Sequence, residues 1–146
     1  MEPKVRKGER ARRQTSAASN ERIDKQILEN LKSYRKNNEG IGARLRQLDR
    51  EWDVERTLEL NAAVLALTGT VLGAVVNKRW LFLPAVVASF LVQHAVQGWC
   101  PPLPLFRRMG IRTRPEIDRE KYALKAIRGD FEDAGTANKA WKAVNK

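Results

Sequence analysis

The chain has little with which to do covalent chemistry. Its 146 residues hold one cysteine and one histidine, Cys100 and His94. A single cysteine excludes an intrachain disulfide and a cysteine-rich zinc site. His94 and Cys100 together fall short of a four-ligand metal site. No glycine-rich phosphate loop, Ser/His/Asp set or paired acidic constellation occurs in the sequence. No catalytic residue, metal site or cofactor is therefore expected. An apolar stretch near the start is also missing, so no secretory leader is expected. Charge is absent from the middle: between Asn61 and Gln97 only Lys78 and Arg79 are fully charged.

What the middle lacks, the flanks hold. The formal net charge is +11, from 28 Lys and Arg against 17 Asp and Glu. Such a balance suits nucleic acid, an anionic membrane surface or an acidic protein. Nucleic acid is not expected, because no binding motif appears and the aromatics are not interleaved with the basic residues. Residues 1–19 are polar and basic, with too little apolar surface to offset ordering, and read as a disordered tail. Residues 20–56 read as amphipathic helices. Asn20 can cap the first, whose stripe is Ile23, Ile27, Leu31 and Tyr34. After the break at Lys36–Gly40, Ile41, Leu45, Leu48 and Trp52 form a second stripe. That helix either packs on a partner helix or lies on a bilayer surface.

Residues 57–100 carry two apolar arms, LELNAAVLALTGTVLGAVV and LFLPAVVASFLVQHAVQGW, separated by NKRW. Each arm is about 28 Å long as a helix, close to the hydrocarbon thickness of a bilayer. The expected class is all-α: a two-helix transmembrane hairpin flanked by cytoplasmic or interfacial amphipathic helices. Arg44, Arg46, Arg50 and Arg56 precede the arms, and Arg107, Arg108, Arg112, Arg114 and Arg119 follow them. Only Lys78 and Arg79 lie between, which puts both termini on the cytoplasmic side of a bacterial inner membrane. Arg44, Arg46, Arg50, Trp52, Arg107, Arg108, Arg112 and Arg114 are the expected contacts to anionic lipid or a partner. Residues 101–131 read as a Pro/Arg linker and an amphipathic helix capped at Thr113 and ended at Gly129. Residues 132–146 read as a polar tail, loose or briefly helical.

Within lipid, small residues let helices approach. Ala62, Ala66, Gly69, Thr70, Gly73 and Ala74 on the first arm, with Ala85 and Ser89 on the second, are the candidate packing residues. One small face can hold the second arm and another a second copy of the chain, giving a homodimer, or a larger membrane complex. A turn centred on Lys78–Arg79 sets Asn61 level with Val96, and His94 level with Ala63. Asn61, Gln93, His94 and Gln97 then form a polar clasp, since polar groups at that depth need partners.

The run Trp52-Asp53-Val54-Glu55-Arg56, both arms, Gly98-Trp99-Cys100-Pro101-Pro102 and Arg108-Met109-Gly110-Ile111-Arg112-Thr113 resembles the YgaP-like transmembrane domain. That is a small two-helix bacterial inner-membrane family of unknown function, sometimes fused to rhodanese sulfurtransferase domains. The likeness covers roughly residues 50–113. The double proline, the Pro-Leu-Phe insertion after it and the long basic extensions depart from the pattern. The resemblance implies two spans and draws attention to Cys100 as a possible reactive thiol. The expected function is the first of three readings, and the other two are its alternatives. The first is a non-enzymatic anchoring or structural role at the membrane. The second is a sulfur or redox accessory working through Cys100 with a separate sulfurtransferase. The third is a soluble basic nucleic-acid-binding protein.

Overall fold

The computed structural model describes residues 10–145. In chain order these form α1 (Arg10–Arg13), α2 (Ala17–Lys36), α3 (Ile41–Arg50), α4 (Val54–Val75), a 3-10 turn (Lys78–Leu81), α5 (Phe82–Gln97), α6 (Leu103–Arg108), α7 (Arg114–Arg128) and α8 (Ala137–Val144). No strand occurs among the described residues, and the all-helical class stands. Two compact units divide the chain: Met1–Glu21 with Trp52–Arg114, and Arg22–Glu51 with Pro115–Lys146.

In the first unit, Asp53 starts α4 by accepting the Arg56 N–H on Oδ1 at 2.8 Å. This cap ends the preceding helix early. α3 stops at Arg50, and Trp52 stands exposed instead of continuing the α3 stripe. Helix α4 runs until Val76. Asn77 then caps the 3-10 turn through its side chain, which accepts the Arg79 N–H at 2.9 Å.

The arms touch where side chains are smallest. A Cβ placed on Gly69 would lie 2.6 Å from Pro84 Cδ, and one on Gly73 would lie 2.6 Å from Leu81 Cδ2. The register therefore differs from the expected one by about one turn. Gly69 meets Pro84, where a reversal at Lys78–Arg79 would have set it level with Ala88. The physical reason is the 3-10 turn. The chain reverses near Val76–Asn77, and Leu81 already lies back along α4.

The outer surfaces of these arms are apolar. Leu67 is 66% exposed, Val75 79% and Phe82 76%, and α5 has no buried residue. Their hydroxyls are satisfied within the helix: Thr68 donates to Val64 O at 2.8 Å, Thr70 to Ala66 O at 2.8 Å and Ser89 to Ala85 O at 2.9 Å. Two helical stretches, Ile41–Val75 and Lys78–Gln97, are long and apolar enough to cross a membrane, the apolar part of the first lying in α4.

The second unit is an ordinary amphipathic core. Ile41, Leu45 and Leu48 of α3 meet Ile117 and Leu124 of α7, with Leu31, Tyr34 and Ile127 around them. The α3 stripe thus faces partner helices. Between them Glu120, fully enclosed, accepts on Oε1 from Arg44 Nε and Nη2, both at 2.9 Å, and from Asn30 Nδ2 at 3.1 Å. Removing one partner of such an enclosed pair costs about 3–5 kcal/mol. Arg44, expected at a lipid or partner surface, is engaged in this pair. An exposed pair, Lys121 with Asp49, joins the same helices at their edge.

Helix α8 is capped by the Thr136 hydroxyl, which accepts the Lys139 N–H at 3.4 Å. Its far end is held by Lys125, whose Nζ donates to Val144 O at 2.6 Å. A cation there suits the negative end of the helix. Burial pulls the Lys125 ammonium below the ordinary lysine range, and the neighbouring Lys121 adds to the effect. The polar tail expected over 132–146 thus contains a fixed helix.

Gly69 is the sharpest test of the arm contact. Gly69→Ala drives a methyl into the rigid Pro84 ring and is expected to lower stability by about 1–3 kcal/mol. Ala74→Leu, on the exposed side, should change it by less than about 0.5 kcal/mol. Unfolding in detergent micelles measures both, and equal effects would contradict the contact.

Candidate functional site

The chemistry-bearing residues of the first unit gather where the arms end. Val54 donates its N–H to Arg112 O at 2.9 Å, fixing the start of α4 to the chain that follows α6. Val54, Leu58, Cys100, Leu103 and Ala11 are buried as one cluster, with Phe106 and Ile111 against it. Gly98 closes α5 in the left-handed conformation, φ 76°, its N–H donating to His94 O at 2.7 Å. A Cβ there would lie 2.4 Å from Arg10 Cβ, so Gly98 also makes room for α1. Arg10 Nη1 in turn donates to Ala95 O at 2.5 Å, satisfying one carbonyl of the last turn of α5.

This explains why residues 10–19 are not the tail expected of them. Ala11 and Arg12 are buried, and α2 already starts at Ala17, its Ser16 hydroxyl accepting the Ser19 N–H at 3.4 Å. Residues 1–9 of the expected tail lie outside the described residues. Asn20 is not the helix cap. Its Nδ2 donates to Arg12 O at 3.0 Å, and its Oδ1 accepts from Arg107.

Arg107 is the centre of this arrangement. Its guanidinium, fully enclosed, donates from Nη2 to Asn20 Oδ1 at 2.9 Å, from Nη1 to Ile111 O at 3.0 Å and from Nε to Thr15 Oγ1 at 3.2 Å. The planar fork of arginine reaches three separated acceptors from three different nitrogens, a span that the single nitrogen of a lysine cannot match. Arg107 and Arg112, expected to face lipid or a partner, are both buried. Helix α6 is the reason. The Pro/Arg linker expected here contains a helix, with Pro104 in its first turn, where no N–H is needed. That helix turns Leu103 and Arg107 inward together, while Pro104, Leu105, Arg108 and Met109 point out. Of the remaining surface candidates, Arg46, Arg50 and Arg108 are exposed and Arg114 is half-buried. Trp52 is exposed and carries the Arg56 guanidinium 4.2 Å from its ring centre.

The polar clasp does not assemble. None of Asn61, Gln93, His94 and Gln97 hydrogen-bonds another of the four. The one-turn change of register sets Asn61 beside Phe90 and Leu91, at a cavity of about 400 Å³. Gln97 is exposed, and His94 Nδ1 is buried without a hydrogen-bond partner. Glu55 Oε2 is likewise buried without a hydrogen-bond partner. Glu55 was not among the sequence candidates. Its place in the first turn of α4 reads equally well as ordinary helix-end charge.

The expected packing set divides. Gly69 and Gly73 are buried between the arms, Ala62 and Ala66 are half-buried, and Thr70, Ala74, Ala85 and Ser89 are exposed. The glycine pair is thus occupied by the chain's own second arm. Cys100 is buried, lining the same cavity as Leu58, Ala62 and Pro101. Enclosure by apolar groups disfavours the thiolate that nucleophilic chemistry needs.

No family model, curated protein or solved structure matches the chain.

Arg107→Ala is expected to cost about 3 kcal/mol, because one buried and two half-buried acceptors lose their donor. Arg107→Lys should recover less than half of it. Denaturant unfolding measures both, and a full rescue by lysine would contradict the three-way geometry. Cys100 is expected to react with iodoacetamide at least roughly a hundred-fold more slowly in the folded protein than after denaturation, since reaction waits on local opening. A rapidly alkylated native thiol would show that the cluster around it is open.

Proposed function

We propose that this chain is a small integral membrane protein with a non-enzymatic anchoring role, seated in a bacterial inner membrane by α4 and α5. The observation that carries this reading is the outward disposition of the apolar side chains on both arms. Leaving a Leu, Val or Phe in water forfeits about 1.5–3 kcal/mol each. A soluble chain would turn such a surface inward, as the second unit does with Ile41, Leu45 and Leu48. The internal hydroxyl bonds of Thr68, Thr70 and Ser89 also suit a medium that offers no hydrogen bonds.

Orientation follows the arginines. Nearly all the charge flanks the arms, and Lys78 and Arg79 alone sit at the turn, so both flanks lie on the cytoplasmic side. There the exposed Arg46, Arg50 and Arg108 face anionic headgroups or an acidic partner, each cation near such a surface contributing about 1 kcal/mol. Two spans with both flanks inside is also the arrangement that the YgaP-like resemblance implies.

The test is topological. In a Cys100→Ala background, a thiol introduced as Lys78→Cys should react with a membrane-impermeant maleimide in intact bacterial cells. One introduced as Gly135→Cys should react only after permeabilisation, and the protein should stay with membranes through a carbonate wash. Release by the wash, or labelling of both sites alike, contradicts the reading.

A further inference from the structure

The second unit carries an apolar face that its own core does not use. On α8, Ala137, Trp141 and Val144 recur at the spacing that sets them on one side of a helix. All three are exposed, Trp141 at 72%. Ala143 is turned the other way and is buried, and the Val144 carbonyl is held by Lys125. The helix is thus fastened to the unit along one edge with its indole pointing out. The remaining side chains of α8 are Asn138, Lys139, Ala140 and Lys142, and no acidic residue occurs within it.

We propose that α8 is a membrane-surface helix that lays Trp141 and Val144 into the headgroup boundary of an anionic bilayer, with Lys139 and Lys142 on the headgroups. This rests on the membrane seating proposed above and names a further contact that the chain makes with the same lipid. An indole with an apolar body and one N–H is suited to that boundary. Lysine stems bury along the helix while their ammonium groups reach phosphate. Charge complementarity decides between a bilayer and a second copy of the chain. Lys139 and Lys142 lie on the polar side of α8, away from Trp141 and Val144, where the headgroups of an anionic surface attract them when the helix lies in the boundary plane, whereas a second copy of α8 on the apolar face offers them no acidic partner, since the helix carries none. Nearby acids set the limit of the contact. Glu132 and Asp133 are exposed just before the Thr136 cap, and Asp130 is bound by Arg128. An anionic surface repels the first two, so contact begins at Ala137. An isolated eight-residue helix would be too short to hold its form in water or to bind alone. Here α8 is already folded onto Lys125, and arms seated in the same bilayer keep it at high local concentration.

Two single-tryptophan proteins in lipid nanodiscs test this. One keeps Trp141 alone (Trp52→Phe, Trp80→Phe, Trp99→Phe). The other keeps Trp80 alone (Trp52→Phe, Trp99→Phe, Trp141→Phe). The discs contain phosphatidylcholine with or without phosphatidylglycerol, and lipids brominated near the headgroup end of the chain serve as quencher. Trp80, at the turn between the arms, should be quenched in both disc types. If it is not, the membrane seating itself falls. With Trp80 quenched, Trp141 should lose emission in the anionic discs and much less in the neutral ones. Lys139→Gln and Lys142→Gln should each weaken the bound state roughly five-fold. Trp141 left unquenched in anionic discs overturns the proposal. So does emission that shifts to the blue with protein concentration without quenching, which would mark a second copy on this face.

Discussion

A backbone approach too close for any side chain, at Gly69 and Gly73, governs the first unit. Because nothing projects from α4 at those positions, Pro84 and Leu81 sit directly against its backbone. That contact fixes the register of the arms, and the register fixes what meets at their open end. Asn61 faces Phe90 and Leu91 across a cavity, His94 is left with a buried unpartnered nitrogen, and the large side chains of both arms turn outward. The apolar exterior, from which the proposed membrane seat is argued, is the complement of this small-residue interior.

The open end of the arms is closed by a second device, a shared polar node. Arg107 binds Thr15, Asn20 and Ile111, while Arg10 reaches Ala95 and α1 fits against Gly98. Together these interactions join the segment before α2 to the segment after α5. They also enclose Cys100, whose position suggested reactivity. A thiol packed among Ala11, Val54, Leu58 and Leu103 contributes to a core. The exposed groups near it, Arg108 and Met109, lie on the opposite side of α6.

The second unit follows different rules, and the contrast is informative. Its apolar stripes face one another, its charged side chains pair across helices, and Glu120 and Arg44 are satisfied within it. Within it, α8 turns Trp141 out, 72% exposed. One chain therefore combines a unit whose apolar stripes face inward and a unit whose arms turn large apolar side chains outward.

Periodicity and composition alone determined the helical class, the break at Lys36–Gly40, the α3 stripe and the two apolar arms. These depend on neighbours three or four positions apart, or on totals. The end of the helix after the arms was also legible, since Gly129 acts through local backbone preference. What lay beyond reach depended on distances between remote residues. Nothing local told Arg107 from Arg108; which of the two is buried was decided by the turn of α6 against residues more than eighty positions earlier. The polar clasp failed because a 3-10 turn moved the register by about one helical turn, a difference set by how Leu81 folds back onto Gly73. A pattern read along the chain carries the identity of each helix face, but only the tertiary structure chooses what each face meets, because that choice turns on contacts between segments far apart in sequence.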